Sequence, residues 1–432
     1  MKDRFYIENA AEFDGEIVEI KGWLYNRRGS GKILFLMVRD GTGIIQCIVE
    51  KKEFDEETFE NLKNLNYESS LTVKGKLRAD VRAPGGFELN AEEIKIVHVS
   101  EPYPITPKEH GTGFLMDHRH LWLRSSKQHA IIRIRNTVIK AWRDFFEEEG
   151  FTMVDAPIFT GTSVEGTTTL FETEYFGQKA YLSQSGQLHM EAAAMAFGKV
   201  YCFGPTFRAE KSKTRRHVTE FWMLEPEVAY YELDDAIALA ERMIMFSIHR
   251  VLEKNKKELE VLERDTKILE NIKIPFPRMS YTEGVEYLNS HDFPFEWGSG
   301  DFGGDEETIL GQIHEQPLVI HRYPSKARAF YMKPDPENPE VVLNFDILAP
   351  EGYGEIVGGS QRVDDLKTLL DKLEEHKLPR EPLEWYIDLR KYGSVPHAGY
   401  GVGLSRFLTW ICKRSHIREA LPFPRLMHRL HP

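Results

Sequence analysis

The chain has 432 residues, with 56 Lys plus Arg against 68 Asp plus Glu, a formal net charge of −12. Hydrophobic residues make up 41% and aromatics 12%, an ordinary balance for a globular fold that needs no covalent staples. No apolar run approaches the ~18 residues of a membrane span, and three scattered cysteines, Cys47, Cys202 and Cys412, exclude a disulfide framework or a cysteine zinc module. That cysteine usage, and a first segment without the apolar stretch of a secretory signal, lead us to expect the reducing cytoplasm. The acidic total argues against indiscriminate coating of DNA, although local charge decides whether a nucleic acid binds.

In chain order, strands are predicted over 16–25, 33–39 and 44–49, the last two split by the turn Asp40-Gly41-Thr42-Gly43. A polar helix over 53–65 follows, with Phe54, Phe59 and Leu62 as apolar points, then strands over 70–77 and 87–99. Three strands, a helix and two strands are the order of a five-stranded OB barrel. Lys21, Arg27, Arg28, Lys32 and Arg39 outnumber the single Asp40 in residues 21–40. Phe35 and Gln46 fall on consecutive strands of that basic face, the pairing of stacking and hydrogen bonding with which such barrels read splayed RNA bases. A core role for Phe35 is the competing reading.

Pro102, Pro104 and Pro107 punctuate a linker over 103–128, so the domains are expected as 1–102, a hinge, and 129–432. Ile131, Ile134, Val138, Trp142 and Phe145 recur at three- and four-residue steps and predict a helix over 129–149, stopped at Gly150. Beyond it, strands are expected near 151–159, 199–209, 219–230, 317–323, 328–332, 340–348 and 354–359, and helices near 187–197, 233–254, 363–376 and 403–414. Few regular βαβ units occur, so the fold class is α+β with a largely antiparallel sheet.

Three stretches carry chemistry. In Phe207-Arg208-Ala209-Glu210 through His217-Val218-Thr219-Glu220-Phe221-Trp222, two strands flank a loop with five cations and one carboxylate from Arg208 to His217, Arg208 included. A solvated hairpin tip is the plain reading of such a loop. Yet Arg208 and Glu210 share one face with Phe221 nearby, and a nucleotide site needs an arginine, a carboxylate and an aromatic plane. Gly399-Tyr400-Gly401-Val402-Gly403-Leu404-Ser405-Arg406 alternates glycines along a strand, which permits close approach. It is neither a dinucleotide fingerprint nor a P-loop. Asn344-Phe345-Asp346 and Gly354-Glu355 put two carboxylates on neighbouring strands, where they can share a hard cation.

These blocks resemble the second and third signatures of class II aminoacyl-tRNA synthetases, and Gly150-Phe151 through Pro157 is similar to the first. Ser183-Gln184-Ser185-Gly186-Gln187-Leu188, Glu220-Phe221-Trp222-Met223-Leu224-Glu225-Pro226-Glu227 and Tyr392-Gly393-Ser394-Val395-Pro396-His397 resemble the aspartyl/asparaginyl subgroup, most closely its archaeal-type asparaginyl branch. The resemblance implies an OB anticodon-binding barrel before a class II catalytic domain, a homodimer paired through 151–157, and magnesium used with ATP, with no zinc and no membrane. It implies that Arg208 holds the α-phosphate, Arg406 the γ-phosphate, Glu210 the adenine amine and Phe221 the ring, with His217 in the loop over the pyrophosphate. Asp346 and Glu355 would carry Mg²⁺. Glu165, Ser185 and Gln187 would frame the amino acid's ammonium and carboxylate, and Arg28, Phe35 and Gln46 would read the anticodon.

Two positions bear on the details. Ser405 stands where the family usually has an acidic residue before its arginine. Met190 occupies the place where aspartyl members carry a lysine, so Glu225 is expected to be free to accept from an amide NH₂, with Arg362 donating to the amide oxygen. That favours ATP-dependent activation of asparagine and its transfer to tRNA(Asn). An aspartyl enzyme, a tRNA-independent amide-forming ligase and a non-catalytic RNA-binding relative stay open at this point.

Overall fold

The computed structural model describes residues 5–161, 169–212 and 214–432. The chain forms two compact units, Met1–Gly111 and Thr112–Pro432. In the first, β1 (Ile17–Ser30), β2 (Ile33–Arg39), β3 (Ile44–Glu50), β4 (Ser70–Ala79) and β5 (Phe87–His98) close a barrel in the order β1-β2-β3-β5-β4. The β3–β5 pair is parallel and the others are antiparallel, with the helix Glu56–Asn64 between β3 and β4. Asp55 caps that helix by accepting from the Thr58 N–H, which starts it three residues later than the apolar points alone indicate. Along β2, Leu34, Leu36 and Val38 point into the barrel core while Phe35 stays half-buried on the other face. Phe35 is therefore not a core residue.

In the second unit, the remaining strands are β6 (Thr152–Met153), β7 (Phe159–Thr160), β8 (Glu172–Tyr175), β9 (Gln178–Leu182), β10 (Lys199–Phe207), β11 (Glu220–Ala229), β12 (Arg278–Ser280), β13 (Leu318–His321), β14 (Asn344–Ala349), β15 (Gly354–Gln361) and β16 (His397–Gly403). Eight of them make one sheet, in the order β12-β13-β14-β15-β16-β11-β10-β6, whose central pairs are all antiparallel. β7, β9 and β8 form a separate small sheet. One face of the large sheet supplies Tyr201, Phe203, Leu224, Val228, Phe345, Ile347, Val357, Tyr400 and Val402 to the main core. Helices Ser126–Glu148 and Leu233–Lys254 cover that face, the first burying Ile131, Ile134, Val138, Trp142 and Phe145 as its period requires.

Several elements differ from expectation. The segment 103–128 holds helices Thr112–Asp117 and Arg119–Trp122 within the second unit. Buried Arg119 packs there by donating to the carbonyls of Pro422 and Leu421. Residues 328–332 are not a strand. The prolines at 324, 334, 336 and 339 lack ladder donors, and only isolated bridges form, such as Met332 with Arg362. Helices Tyr281–Ser290, Gly304–Leu310 and Glu384–Lys391 were not anticipated, although Ser280 and Glu283 form a capping box readable from the sequence.

Candidate active site

The site lies on the face of the sheet opposite the main core. Strand alternation puts Phe221, Met223, Glu225 and Glu227 of β11 on this face. The register aligns Glu225 with Cys202 of β10, and the pairs Met223–Gly403 and Glu227–Gly399 bracket Glu225 opposite Gly401 of β16. Gly401 pairs with Gly358 of β15, and Gly358 with Asp346 of β14. Asp346 and Glu225 thus occupy one transverse row, and Phe221 lies four residues along β11, about 13 Å away at ~3.3 Å per residue. The alternating glycines clear this face. A Cβ at Gly399 would lie 2.1 Å from Glu227 Oε2.

A cavity of about 320 Å³ opens at the Phe221 end. Its walls hold Arg208, Glu210, His217, Phe221, Glu355 and Arg406, which brings together all six residues expected around ATP. The Arg208 guanidinium carbon is 5.6 Å from the centre of the Phe221 ring. The Arg406 Nη1 donates to the Glu355 carbonyl at 2.9 Å and to Glu355 Oε2 at 3.1 Å. Arg406 is therefore held from β15, and the Ser405 hydroxyl is buried with no partner among the described residues. Burial, with Arg406 and Arg208 close by, pushes the His217 pKa below its ordinary value.

Asp346 and Glu355 converge above Gly358. A Cβ there would stand 2.8 Å from Glu355 Oε1 and 3.3 Å from Asp346 Oδ1, so glycine leaves room that both carboxylates face. Burial pushes the Asp346 pKa up to about 8, with Arg328 offsetting part of the effect and Glu355 adding to it. Arg328, which sequence reasoning did not single out, donates to Asp346 Oδ2 at 2.5 Å and to Asp301 Oδ1 at 3.1 Å. Two carboxylate oxygens beside this cavity fit a hard divalent cation. Among the described residues no group of three or more ligating side chains is assembled, so water or ligand oxygens would complete its shell.

The amino-acid residues form a deeper, buried cluster. Glu225 accepts from the Ser185 hydroxyl, from the Gly186 N–H at 2.8 Å and from the Cys202 thiol at 3.5 Å. It does not stand open as expected, because the turn that starts helix Gln187–Phe197 delivers donors to it. Arg362 is likewise engaged. Its Nε and Nη2 donate to Glu227 at 3.0 and 2.9 Å, and its Nη1 to the Ser360 hydroxyl at 2.7 Å. Gln187 Nε2 donates to Glu191 Oε1 at 3.1 Å. The other oxygen of Glu191 receives the Tyr386 hydroxyl and Arg390 Nη2, each at 2.7 Å, and lies 3.0 Å from His397 Nε2. Burial opposes the charge of Glu191, yet Arg390 and the His397 hydrogen bond hold its pKa well below the carboxylate range. Met190 packs with Ala194, Val200 and Cys202 and brings no charge to the row. Glu165 lies outside the described residues. In the barrel, Arg28 Nη2 donates to Gln46 Oε1 at 2.8 Å and the Arg28 guanidinium lies 5.0 Å from the Phe35 ring centre, so the three expected residues form one patch.

A family described as class II tRNA synthetases (D, K and N) matches residues 111–427, and the OB-fold nucleic acid binding domain family matches residues 18–97. The antiparallel sheet and this match define a class II synthetase. The chain is 57% identical over 430 residues to the asparagine–tRNA ligase of Pelotomaculum thermopropionicum, covering 100% of both chains. It is 53% identical over 433 residues to that of Symbiobacterium thermophilum, covering 99% of each. Among solved structures it is similar to the asparaginyl-tRNA synthetase from Pyrococcus horikoshii complexed with asparaginyl-adenylate, with a TM-score of 0.96 and 44% identity over 100% of both chains. The chain belongs to the asparagine–tRNA ligase family of class II synthetases.

Glu227 and Arg362 are almost wholly buried, at 1% and 3% side-chain exposure. Removing one partner leaves an uncompensated charge, so Glu227→Ala is expected to cost about 3–5 kcal/mol. The double change Glu227→Leu with Arg362→Met should recover most of it. Urea unfolding of both variants checks this; equal losses in the single and double variants would contradict it.

Proposed function

We propose that the protein activates L-asparagine with ATP and transfers it to tRNA(Asn). The observation that carries this reading is the single sheet face shared by the nucleotide cavity and the Glu225 row, with Phe221 about 13 Å along β11 from Glu225 and Gly401 of that row in the cavity wall. The full-length relatives support the choice of amino acid.

The asparagine carboxylate attacks the α-phosphorus in line, the bond to the β-phosphate oxygen breaks, and pyrophosphate leaves. The tRNA 3′-terminal hydroxyl then attacks the carbonyl of the adenylate, and AMP leaves. Catalysis is positioning and charge stabilisation, with no covalent enzyme intermediate. Arg208 holds the α-phosphate, Arg406 the γ-phosphate, Glu210 the adenine amine and Phe221 the ring, while His217 lies over the pyrophosphate. Asp346 and Glu355 would hold Mg²⁺, which would supply screening of the phosphate charge. Glu165, Ser185 and Gln187 surround the ammonium and carboxylate. Glu225 and Arg362, held in place by the protein partners described above, border the side-chain amide; an aspartate there would set a second carboxylate against Glu225 in a buried site.

In the barrel, Phe35 stacks a base of the anticodon, flanked by Arg28 and Gln46. A homodimer is supported by the apolar surface near the first signature, where Met153, Ile158 and Phe159 are 40%, 41% and 51% exposed. Among the described residues no helix is long and apolar enough to cross a membrane. The cytoplasm, where tRNA is charged, suits the three free cysteines.

Two outcomes test these roles. Arg208→Ala should lower asparagine-dependent pyrophosphate exchange by on the order of 10²–10³ with the fold intact; a rate within roughly tenfold of the parent contradicts the α-phosphate role. Phe35→Ala should weaken aminoacylation by about 1–3 kcal/mol in kcat/KM for tRNA while sparing exchange. Equal damage to both reactions contradicts the anticodon role.

A further inference from the structure

Arg216 precedes His217 in the cation-rich loop and lines the nucleotide cavity, yet its guanidinium is tied to the protein by four hydrogen bonds. Nη1 donates to the Gly304 carbonyl and to Glu307 Oε2, both at 2.9 Å, and Nη2 donates to the Thr308 hydroxyl at 2.5 Å and the Gly352 carbonyl at 2.7 Å. The same Glu307 Oε2 accepts the backbone N–H of Glu355 at 3.0 Å. Both side chains of the pair are nearly buried, at 11% and 13% exposure. A Cβ on Gly354 would lie 2.2 Å from Glu307 Oε2 and 2.6 Å from Arg216 Nη1, so the chain is bare where the brace passes.

We propose that Glu307 is a positioning residue for the nucleotide. One carboxylate oxygen joins the loop that carries His217 to the start of the strand that carries Glu355. The loop and the cation-binding carboxylate approach the triphosphate from different segments, and this oxygen fixes their spacing. Arg216 thereby serves as the loop's anchor, with its hydrogen bonds committed to protein groups. The asparagine row shares none of these bonds, so the effect is confined to ATP. The proposal rests on the activation reading given above.

The test compares the parent with Glu307→Ala, Glu307→Gln and Thr308→Val, using KM for ATP and for asparagine in exchange, and calorimetric ATP binding with and without Mg²⁺. Glu307→Ala should raise KM and Kd for ATP at least about tenfold while KM for asparagine stays within about twofold, and Glu307→Gln should recover most of the loss. Thr308→Val removes one acceptor of Arg216 at nearly constant shape and should show a smaller, ATP-only loss; it serves where Glu307→Ala does not fold. Unchanged ATP binding in a folded variant, or parallel losses for ATP and asparagine, overturns the proposal. A parent without asparagine-dependent exchange defeats the activation reading instead, and ATP calorimetry still reports on the brace.

Discussion

The end of the sheet face around Glu225 depends on charges buried where water does not reach them. Glu227–Arg362 and Glu191–Arg390 are two ion pairs at or near zero exposure, drawn from β11, the residue after β15, helix Gln187–Phe197 and helix Glu384–Lys391. Such pairs add little net stability over well-packed apolar groups, because desolvation offsets the attraction. Their value is geometric: a buried charge tolerates only a narrow range of partner positions. Glu191 accepts from the Gln187 amide nitrogen, and Glu227 accepts from two nitrogens of the Arg362 guanidinium and so sets its plane. The glycines of β16 belong to the same constraint, since a side chain at Gly399 would displace the Glu227 carboxylate.

The two faces of the sheet divide the work. Tyr400 and Val402 enter the core that carries helices Ser126–Glu148 and Leu233–Lys254, while the glycines between them clear the opposite face. Rigid packing behind the sheet therefore sets the position of the strand residues in front of it. Phe221, Glu225 and Asp346 come from two strands whose register is fixed by ladder hydrogen bonds, and Arg208 follows β10 directly, its N–H donating to the Thr219 carbonyl at 3.0 Å; preorganisation of this kind is what a positioning mechanism requires.

Local pattern made much of this legible. The strand–helix–strand order of the barrel, the apolar period of Ser126–Glu148, the hairpin around His217 and the glycine alternation before Arg406 are all short-range signals, and each corresponds to an observed element. What was not legible depends on partners distant in sequence. Arg362 meets Glu227 across 135 residues, and Arg390 meets Glu191 across 199. Arg328 and Glu307 gave no local signal, since a cation after a short turn and an acid in a short helix look like surface residues until the fold places them. Glu191 lies one helical turn after Gln187, the spacing at which side chains on one helix meet.

The central claim is that a buried Glu225, held by Ser185 and Gly186 and facing no lysine, selects the neutral amide. It is tested most directly by kcat/KM for asparagine and for aspartate in pyrophosphate exchange, in the parent and in Glu225→Gln. The account predicts a preference for asparagine of at least about a hundredfold in the parent, eroded in the variant. Comparable rates with both amino acids, a preference for aspartate, or selectivity untouched by Glu225→Gln would contradict it.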